Sequence, residues 1–74
     1  MRIFVTGGTG NIGQYVTLAL LERGHQVKLL TRTAGRIPAW QQMENVELIE
    51  GNMLQLDLLE KSIQGCDAVI HIAL

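Results

Sequence analysis

Residues 5–13 read Val-Thr-Gly-Gly-Thr-Gly-Asn-Ile-Gly and stand between two patterns of different period. The apolar run Ile3-Phe4-Val5 that enters this stretch is short and rich in β-branched residues, which is typical of a buried strand. The residues that leave it are apolar at helical spacing, which predicts a helix from about Asn11 to Arg23, ended by Gly24. The stretch is therefore a turn from a strand into a helix, and it decides the fold.

Three glycines of this turn, Gly7, Gly10 and Gly13, recur at a spacing of three. A tight turn with positive φ, a backbone that approaches a ligand closely and a helix packed close to its strand all favour a residue without Cβ. The helix that follows offers unpaired N–H groups and the positive end of its dipole to an anion. We interpret the turn as a pyrophosphate-binding site for a dinucleotide. The alternative is an ordinary glycine-rich turn.

The rest of the chain alternates between strand and helix patterns. Strands are predicted at residues 3–6, 26–30, 46–50 and 67–73, a helix at 53–62, and a short helix at 38–43. Alternation of this kind predicts an α/β fold with a parallel sheet and right-handed crossovers, in the strand order 3-2-1-4. The ligand is expected at the carboxyl ends of the strands, at the switch point between strands 1 and 4.

Each long helix is expected to bury one apolar stripe against the sheet. For the first helix the stripe consists of Ile12, Val16, Ala19 and Leu20, with Tyr15 and Leu18 to one side. For the second helix it consists of Leu54, Leu58, Leu59 and Ile63.

Composition excludes several classes of protein. The 74 residues form one domain at most, and 47% of them are hydrophobic, which is too many for a disordered chain. The net charge of -1 comes without a basic block, so neither nucleic acid nor a membrane surface is an expected partner. No apolar run approaches the ~20 residues of a membrane span, and the default compartment is the cytoplasm. The single cysteine, Cys66, excludes an internal disulfide, and no zinc site is expected.

The last predicted strand would leave a hydrophobic edge at residues 69–72, which natural sheets avoid exposing. We therefore interpret residues 1–74 as the N-terminal part of a larger cofactor-binding domain. The expected partners of this edge are a C-terminal half of the same domain or a second copy of the chain.

Arg32 follows the second predicted strand, where domains that bind NAD carry an acidic residue about 20 residues past the glycines. A carboxylate there would repel a 2′-phosphate, whereas a guanidinium can bind it with two hydrogen bonds. The sequence therefore favours NADP over NAD, with Arg36 as a second cation. A solvated loop arginine is the alternative.

Two further positions at strand ends carry polar side chains. Asn52 and Met53 follow the third strand, where the asparagine amide could both donate to and accept from the edge of an adenine, or could simply stabilise a turn. His71 lies in an apolar strand and is expected to be a packed, hydrogen-bonded residue rather than a catalytic one. Cys66 lies in a loop without a neighbouring cation and is expected to be inert.

Taken together, residues 6–13, Leu30-Thr31-Arg32, Gly51-Asn52-Met53 and residues 65–73 resemble the extended short-chain dehydrogenase/reductase superfamily. The nearest groups are the NAD(P)-dependent epimerase/dehydratases and the dihydroflavonol-reductase-like proteins. The resemblance covers the family's N-terminal half and implies the first half of a three-layer Rossmann-type sheet that binds NAD(P). Asn52 stands where the family has an adenine-binding aspartate, a change that removes the charge and keeps an acceptor.

The residues and the resemblance together give a set of expected cofactor contacts. The resemblance implies that Asn11 and Ile12 contact the pyrophosphate and that the motif His71-Ile72-Ala73 lines the cofactor. The full set is Gly7, Thr9, Gly10, Asn11, Ile12, Gly13, Arg32, Asn52, Met53 and Ala73. No catalytic residue and no metal ligand is expected.

The function implied is that of the NAD(P)-binding part of an oxidoreductase or nucleotide-sugar epimerase/dehydratase that uses hydride transfer. The family's catalytic Tyr-x-x-x-Lys pair does not occur in these 74 residues, so the chain alone is expected to be inactive. Two alternatives are a non-catalytic, redox-sensing module of the NmrA type and a minimal Rossmann fragment.

Overall fold

The structure, a computed structural model, describes residues 1–7, 11–32 and 44–72, with Asn11 described in its backbone alone. The predicted helix at 38–43 lies outside these residues. The elements are β1 (Arg2–Thr6), α1 (Asn11–Glu22), β2 (Gln26–Thr31), β3 (Val46–Glu50), α2 (Leu56–Ile63) and β4 (Ala68–His71).

The four strands form one parallel sheet in the order β3-β2-β1-β4, as predicted. β1 is central and pairs with two neighbours, so that Val5 lies opposite Leu29 of β2 and Ile70 of β4. The chain moves outward from β1 through β2 to β3 and then returns to the other side of β1. The topological switch point therefore lies between the paired strands β1 and β4, and ligands of such folds bind at the carboxyl ends of the strands there.

Alternate residues of the strands build a core on each face of the sheet. On one face Ile3, Val5, Val27 and Leu29 are buried, and Leu20 and Leu21 of α1 pack against them. The opposite face carries the buried Phe4 and Leu30, and Lys28 on this face donates to the carbonyl of Ser62 in α2. Both faces of the central strand are thus covered, which is why its sequence is almost wholly apolar.

The predicted stripe of α1 is partly wrong. Ile12 is 64% exposed and Ala19 is also exposed, whereas Gly13 and Thr17 are buried. The helix approaches the sheet through these two small residues. The Thr17 hydroxyl donates to the Gly13 carbonyl at 2.9 Å, so a polar side chain can be buried there without losing a hydrogen bond. Val16 and Leu20 are half-buried, and Tyr15 and Leu18 are exposed as expected.

The second helix also departs from the prediction. It begins at Leu56 rather than at residue 53, because the Asn52 side chain accepts from the backbone N–H of Leu54 and holds a turn there. Leu54 is consequently 88% exposed, and Ile63 is exposed as well. Leu58 and Leu59 remain half-buried, as expected.

The other boundaries shift by a few residues. β4 is shorter than predicted and begins at Ala68, because Asp67 is occupied in bonding the start of β1. β4 lies at the edge of the described sheet, and Val69 is half exposed there. Gly24 has a φ of +84° and closes α1, as predicted. Within the described parts of the chain, no helix is long and apolar enough to cross a membrane.

Candidate dinucleotide-binding site

The carboxyl ends of all four strands meet at one edge of the sheet. Two backbone hydrogen bonds join neighbouring ends: the N–H of Gly51 donates to Thr31 at 2.9 Å, and the N–H of Ile72 donates to Thr6 at 3.1 Å. Residues that follow different strands in the sequence are thereby held side by side. The predicted positions Gly7, Arg32 and Asn52 lie along this edge.

Gly7 is constrained in two independent ways. Its φ is +74°, a conformation that residues with a side chain rarely adopt. In addition, a Cβ placed on Gly7 would collide with the backbone carbonyl oxygen of Ile72, just beyond β4. The end of β1 thus lies against the end of β4, and main-chain atoms of Ile72 occupy the space beside Gly7 at the switch point.

The start of α1 suits an anion. Gly13, in the first turn of α1, is buried. The close packing of helix on strand that the sequence predicted for the third glycine stays a prediction. The first turn contains no acidic residue, so no carboxylate opposes the positive end of the helix dipole. The exposed Ile12 lies in this turn. Thr9, Gly10 and the side chain of Asn11 lie outside the described residues.

Arg32 directly follows β2 and is exposed. Its backbone position places it one strand away from the Gly7 turn, since β2 neighbours β1. Opposite the end of β2 stands Glu50, the last residue of β3 and an exposed one. Among the described residues, the ends of β2 and β3 therefore present a guanidinium, Arg32, beside a carboxylate, Glu50. Arg36 lies outside the described residues.

Asn52 stabilises a turn. Its Oδ1 accepts from the N–H of Leu54 at 2.8 Å, and its own N–H donates to Oε1 of Gln55 at 2.8 Å. Of the two interpretations given by the sequence, the structural one is present, while the side-chain NH2 keeps its capacity to donate to a ligand. Met53 is partly exposed beside it. An adenine contact here stays a prediction.

The sequence did not single out the side chain of Thr6. Thr6 lies opposite His71 in the register of β1 and β4, and its Oγ1 is 2.6 Å from Nδ1 of His71. His71 is hydrogen-bonded, as expected, but it is exposed rather than packed in the core, because it lies at the end of an edge strand. The sequence predicted the strand order but no register between β1 and β4, and the register is what brings these two residues together. Ala73 lies outside the described residues.

Residues 7–73 match a family model described as NAD(P)H-binding. The chain belongs to this family. Over 97% of its length it is 33% identical to a 3β-hydroxysteroid dehydrogenase/Δ5→4-isomerase of Mycobacterium tuberculosis, and it covers 19% of that protein. Over 99% of its length it is 38% identical to the mouse epimerase family protein SDR39U1, of which it covers 20%.

Among solved structures, this NAD(P)H-binding chain is similar to the Bordetella bronchiseptica enzyme WbmH in complex with NAD+. The TM-score is 0.82 at 32% identity, over 97% of this chain and 25% of that one. The comparisons confirm the Rossmann-type fold and the resemblance to the epimerase, dehydratase and reductase group of the short-chain dehydrogenases. The chain spans about a fifth of the length of the curated relatives named above.

Within the part of the chain that the structure describes, the remaining chemistry-bearing groups do not form a cluster of metal ligands. Cys66 is half-buried, with its Sγ 3.5 Å from the carbonyl of Ser62. Among residues 1–7, 11–32 and 44–72, no cluster of three or more histidine, cysteine, aspartate or glutamate side chains could hold a metal ion.

Proposed function

We propose that this chain is the dinucleotide-binding part of an NAD(P)-dependent oxidoreductase or nucleotide-sugar epimerase/dehydratase, and that it prefers NADP(H) to NAD(H). The observation that carries the proposal is the Gly7 turn. Its positive φ and the Ile72 carbonyl beside it leave no room for a side chain at the end of β1, next to the switch point where ligands of such folds bind. The acid-free first turn of α1 adds an anion-binding helix end.

The proposed contacts follow the edge of the sheet. The pyrophosphate lies on the turn and the start of α1, the 2′-phosphate at Arg32, and the adenine beside Asn52 and Met53. The residues assigned to the turn and helix start are Gly7, Thr9, Gly10, Asn11, Ile12 and Gly13, and Ala73 lines the cofactor beyond β4. The cofactor, when bound, exchanges hydride with the substrate, and the residues of this chain bind and orient it.

The preference for NADP(H) depends on Arg32. An exposed guanidinium at the end of β2 can form two charge-assisted hydrogen bonds with a phosphate, and no acidic residue occupies that position. Glu50 at the end of β3 works in the opposite direction, since its carboxylate repels a phosphate bound beside it. The two residues therefore make a matched pair for testing the assignment.

Calorimetric titration of the 74-residue chain with NADPH and with NADH tests the proposal. We expect NADPH to bind roughly tenfold more tightly, and Arg32→Ala to remove that difference by weakening NADPH alone. Arg32→Lys keeps the positive charge but loses the planar guanidinium that can donate two hydrogen bonds, and it should retain part of the preference for NADPH. Glu50→Gln should increase the difference. The control is Arg23→Ala, an exposed arginine after α1, which should change neither affinity.

Two outcomes would count against the proposal. If neither dinucleotide binds, the assignment of the cofactor site is wrong. If both bind equally and continue to do so in Arg32→Ala, the site stands but the role of Arg32 does not.

A further inference from the structure

The hydrogen bond between Thr6 and His71 lies at the carboxyl ends of β1 and β4, beside the Gly7 turn. Thr6 is the last residue of β1, His71 is the last residue of β4, and the two are opposite each other in the register. The next residues along the chain are Gly7 and Ile72, and they lie so close that a Cβ on Gly7 would collide with the Ile72 carbonyl oxygen. The Thr6–His71 bond of 2.6 Å is therefore the last side-chain link between the two strands before the turn.

Burial makes this bond necessary to Thr6. Thr6 is only 4% exposed, and a buried hydroxyl without a partner costs considerably more than a satisfied one gains. Its proton needs an acceptor, and Nδ1 of His71 is at bonding distance. A hydroxyl that donates to Nδ1 fixes the neutral imidazole as the tautomer with its proton on Nε2.

We propose that Thr6 and His71 form a positioning pair that holds the ends of β1 and β4 in register and so fixes the mouth of the dinucleotide cradle; this inference rests on the proposed function. The pair does not touch the adenosine half of the ligand, which lies along the β2 and β3 ends. Its effect is on the part of the cofactor that crosses the switch point, namely the pyrophosphate and the nicotinamide half.

The two halves of the ligand provide the test. NADPH spans the whole edge of the sheet, whereas 2′,5′-ADP carries only the adenosine half with its 2′-phosphate and its 5′-phosphate, and lacks the second phosphate and the nicotinamide half. Loss of the pair in Thr6→Val or His71→Phe should weaken NADPH roughly fivefold to tenfold and leave 2′,5′-ADP within about twofold. Thr6→Ser retains the hydroxyl and should restore NADPH binding. His25→Phe, at the opposite end of the sheet, is the matched control and should change neither affinity.

A second readout does not depend on the ligand. The 15N shifts of the imidazole should show the Nε2–H tautomer for His71 in the unaltered chain and in Thr6→Ser, and a mixture of tautomers in Thr6→Val. Far-UV circular dichroism shows whether each variant folds. If Thr6→Val does not fold, His71→Phe provides the comparison of the two ligands, and the tautomer is then compared between the unaltered chain and Thr6→Ser alone.

The outcomes separate the two proposals. If the unaltered chain binds neither NADPH nor 2′,5′-ADP, the proposed function fails and the positioning role fails with it. If NADPH binds with the expected dependence on Arg32 but is indifferent to the loss of Thr6 or His71, the positioning role alone is wrong. If both ligands weaken in parallel, the pair only maintains the fold.

Discussion

β1 and β4 are joined by hydrogen bonds in the same manner at both ends of the pair, yet the dinucleotide site is proposed at only one of these ends. At the amino end the N–H of Arg2 donates to Asp67 Oδ2 at 2.8 Å, and the N–H of Asp67 donates back to the Arg2 carbonyl at 2.7 Å. At the carboxyl end a side-chain bond between Thr6 and His71 likewise stands beside a backbone bond. Each end thus combines one side-chain and one backbone hydrogen bond.

The two ends differ in how closely other atoms surround the glycine beside each pair of hydrogen bonds. Gly65, near the amino end, and Gly7, at the carboxyl end, both have positive φ values, of +81° and +74°. A Cβ on Gly65 would be 3.6 Å from the Arg2 guanidinium, an ordinary contact, while one on Gly7 would collide with the backbone of Ile72. Positive φ alone therefore marks a turn. Positive φ together with close approach of the chain after β4 distinguishes Gly7, the residue at which we propose the dinucleotide site.

The largest effect is expected when each of the two glycines is changed to alanine in a separate variant and the two variants are compared. Gly7→Ala should lower the free energy of unfolding by about 3 kcal/mol, because the alanine would have an unfavourable φ and its Cβ would collide with the carbonyl oxygen of Ile72, which cannot move away as a side chain could. Gly65→Ala meets only the unfavourable φ and should cost about 1 kcal/mol. Urea unfolding of the two variants measures the difference, and NADPH titration should show binding lost in the first and kept in the second. Equal losses of stability would mean that the contact with Ile72 does not constrain residue 7.

A smaller effect is expected at the amino-end pair of hydrogen bonds. Asp67→Ala removes the acceptor of the Arg2 N–H and should lower the free energy of unfolding by about 1 kcal/mol, a modest value because the site is exposed and water replaces the partner. Asp67→Asn keeps an acceptor oxygen and should cost less. Neither change should alter the affinity for NADPH, since the proposed site lies at the other end of the sheet. A loss of NADPH affinity in Asp67→Ala would show that the two ends of the β1–β4 pair are coupled.

The sheet could be predicted from the sequence because its signals are redundant. β1 is marked by its apolar run, by the glycine turn after it and by the alternation of the whole chain, and these agree. The strand order followed from the doubly wound arrangement that such alternation predicts, and it needed no single residue. The end of α1 was equally clear, because Gly24 provides the left-handed residue that closes a helix.

The helix faces were harder to predict because burial there depends on side chains that pattern rules score as polar. Thr17 is fully buried, and it can be so because its hydroxyl donates a hydrogen bond within its own helix. The buried stripe of α1 therefore includes Gly13 and Thr17, and Ile12 is exposed. The pairing of Thr6 with His71 was missed for a related reason. It depends on register, which joins residues 65 positions apart and leaves no local signal.

The smallest effect is expected at Asn52, where a polar residue at the carboxyl edge already has a structural task. Asn52→Ala removes the acceptor of the Leu54 N–H and should lower the free energy of unfolding by roughly 0.5–1 kcal/mol. Asn52→Asp retains that acceptor and should leave the free energy of unfolding unchanged. If the side chain serves only the turn, NADPH affinity in both variants will follow stability and change by less than twofold. If the amide also holds the adenine, Asn52→Ala will weaken both NADPH and 2′,5′-ADP, which separates this position from Thr6 and His71, whose loss weakens NADPH alone.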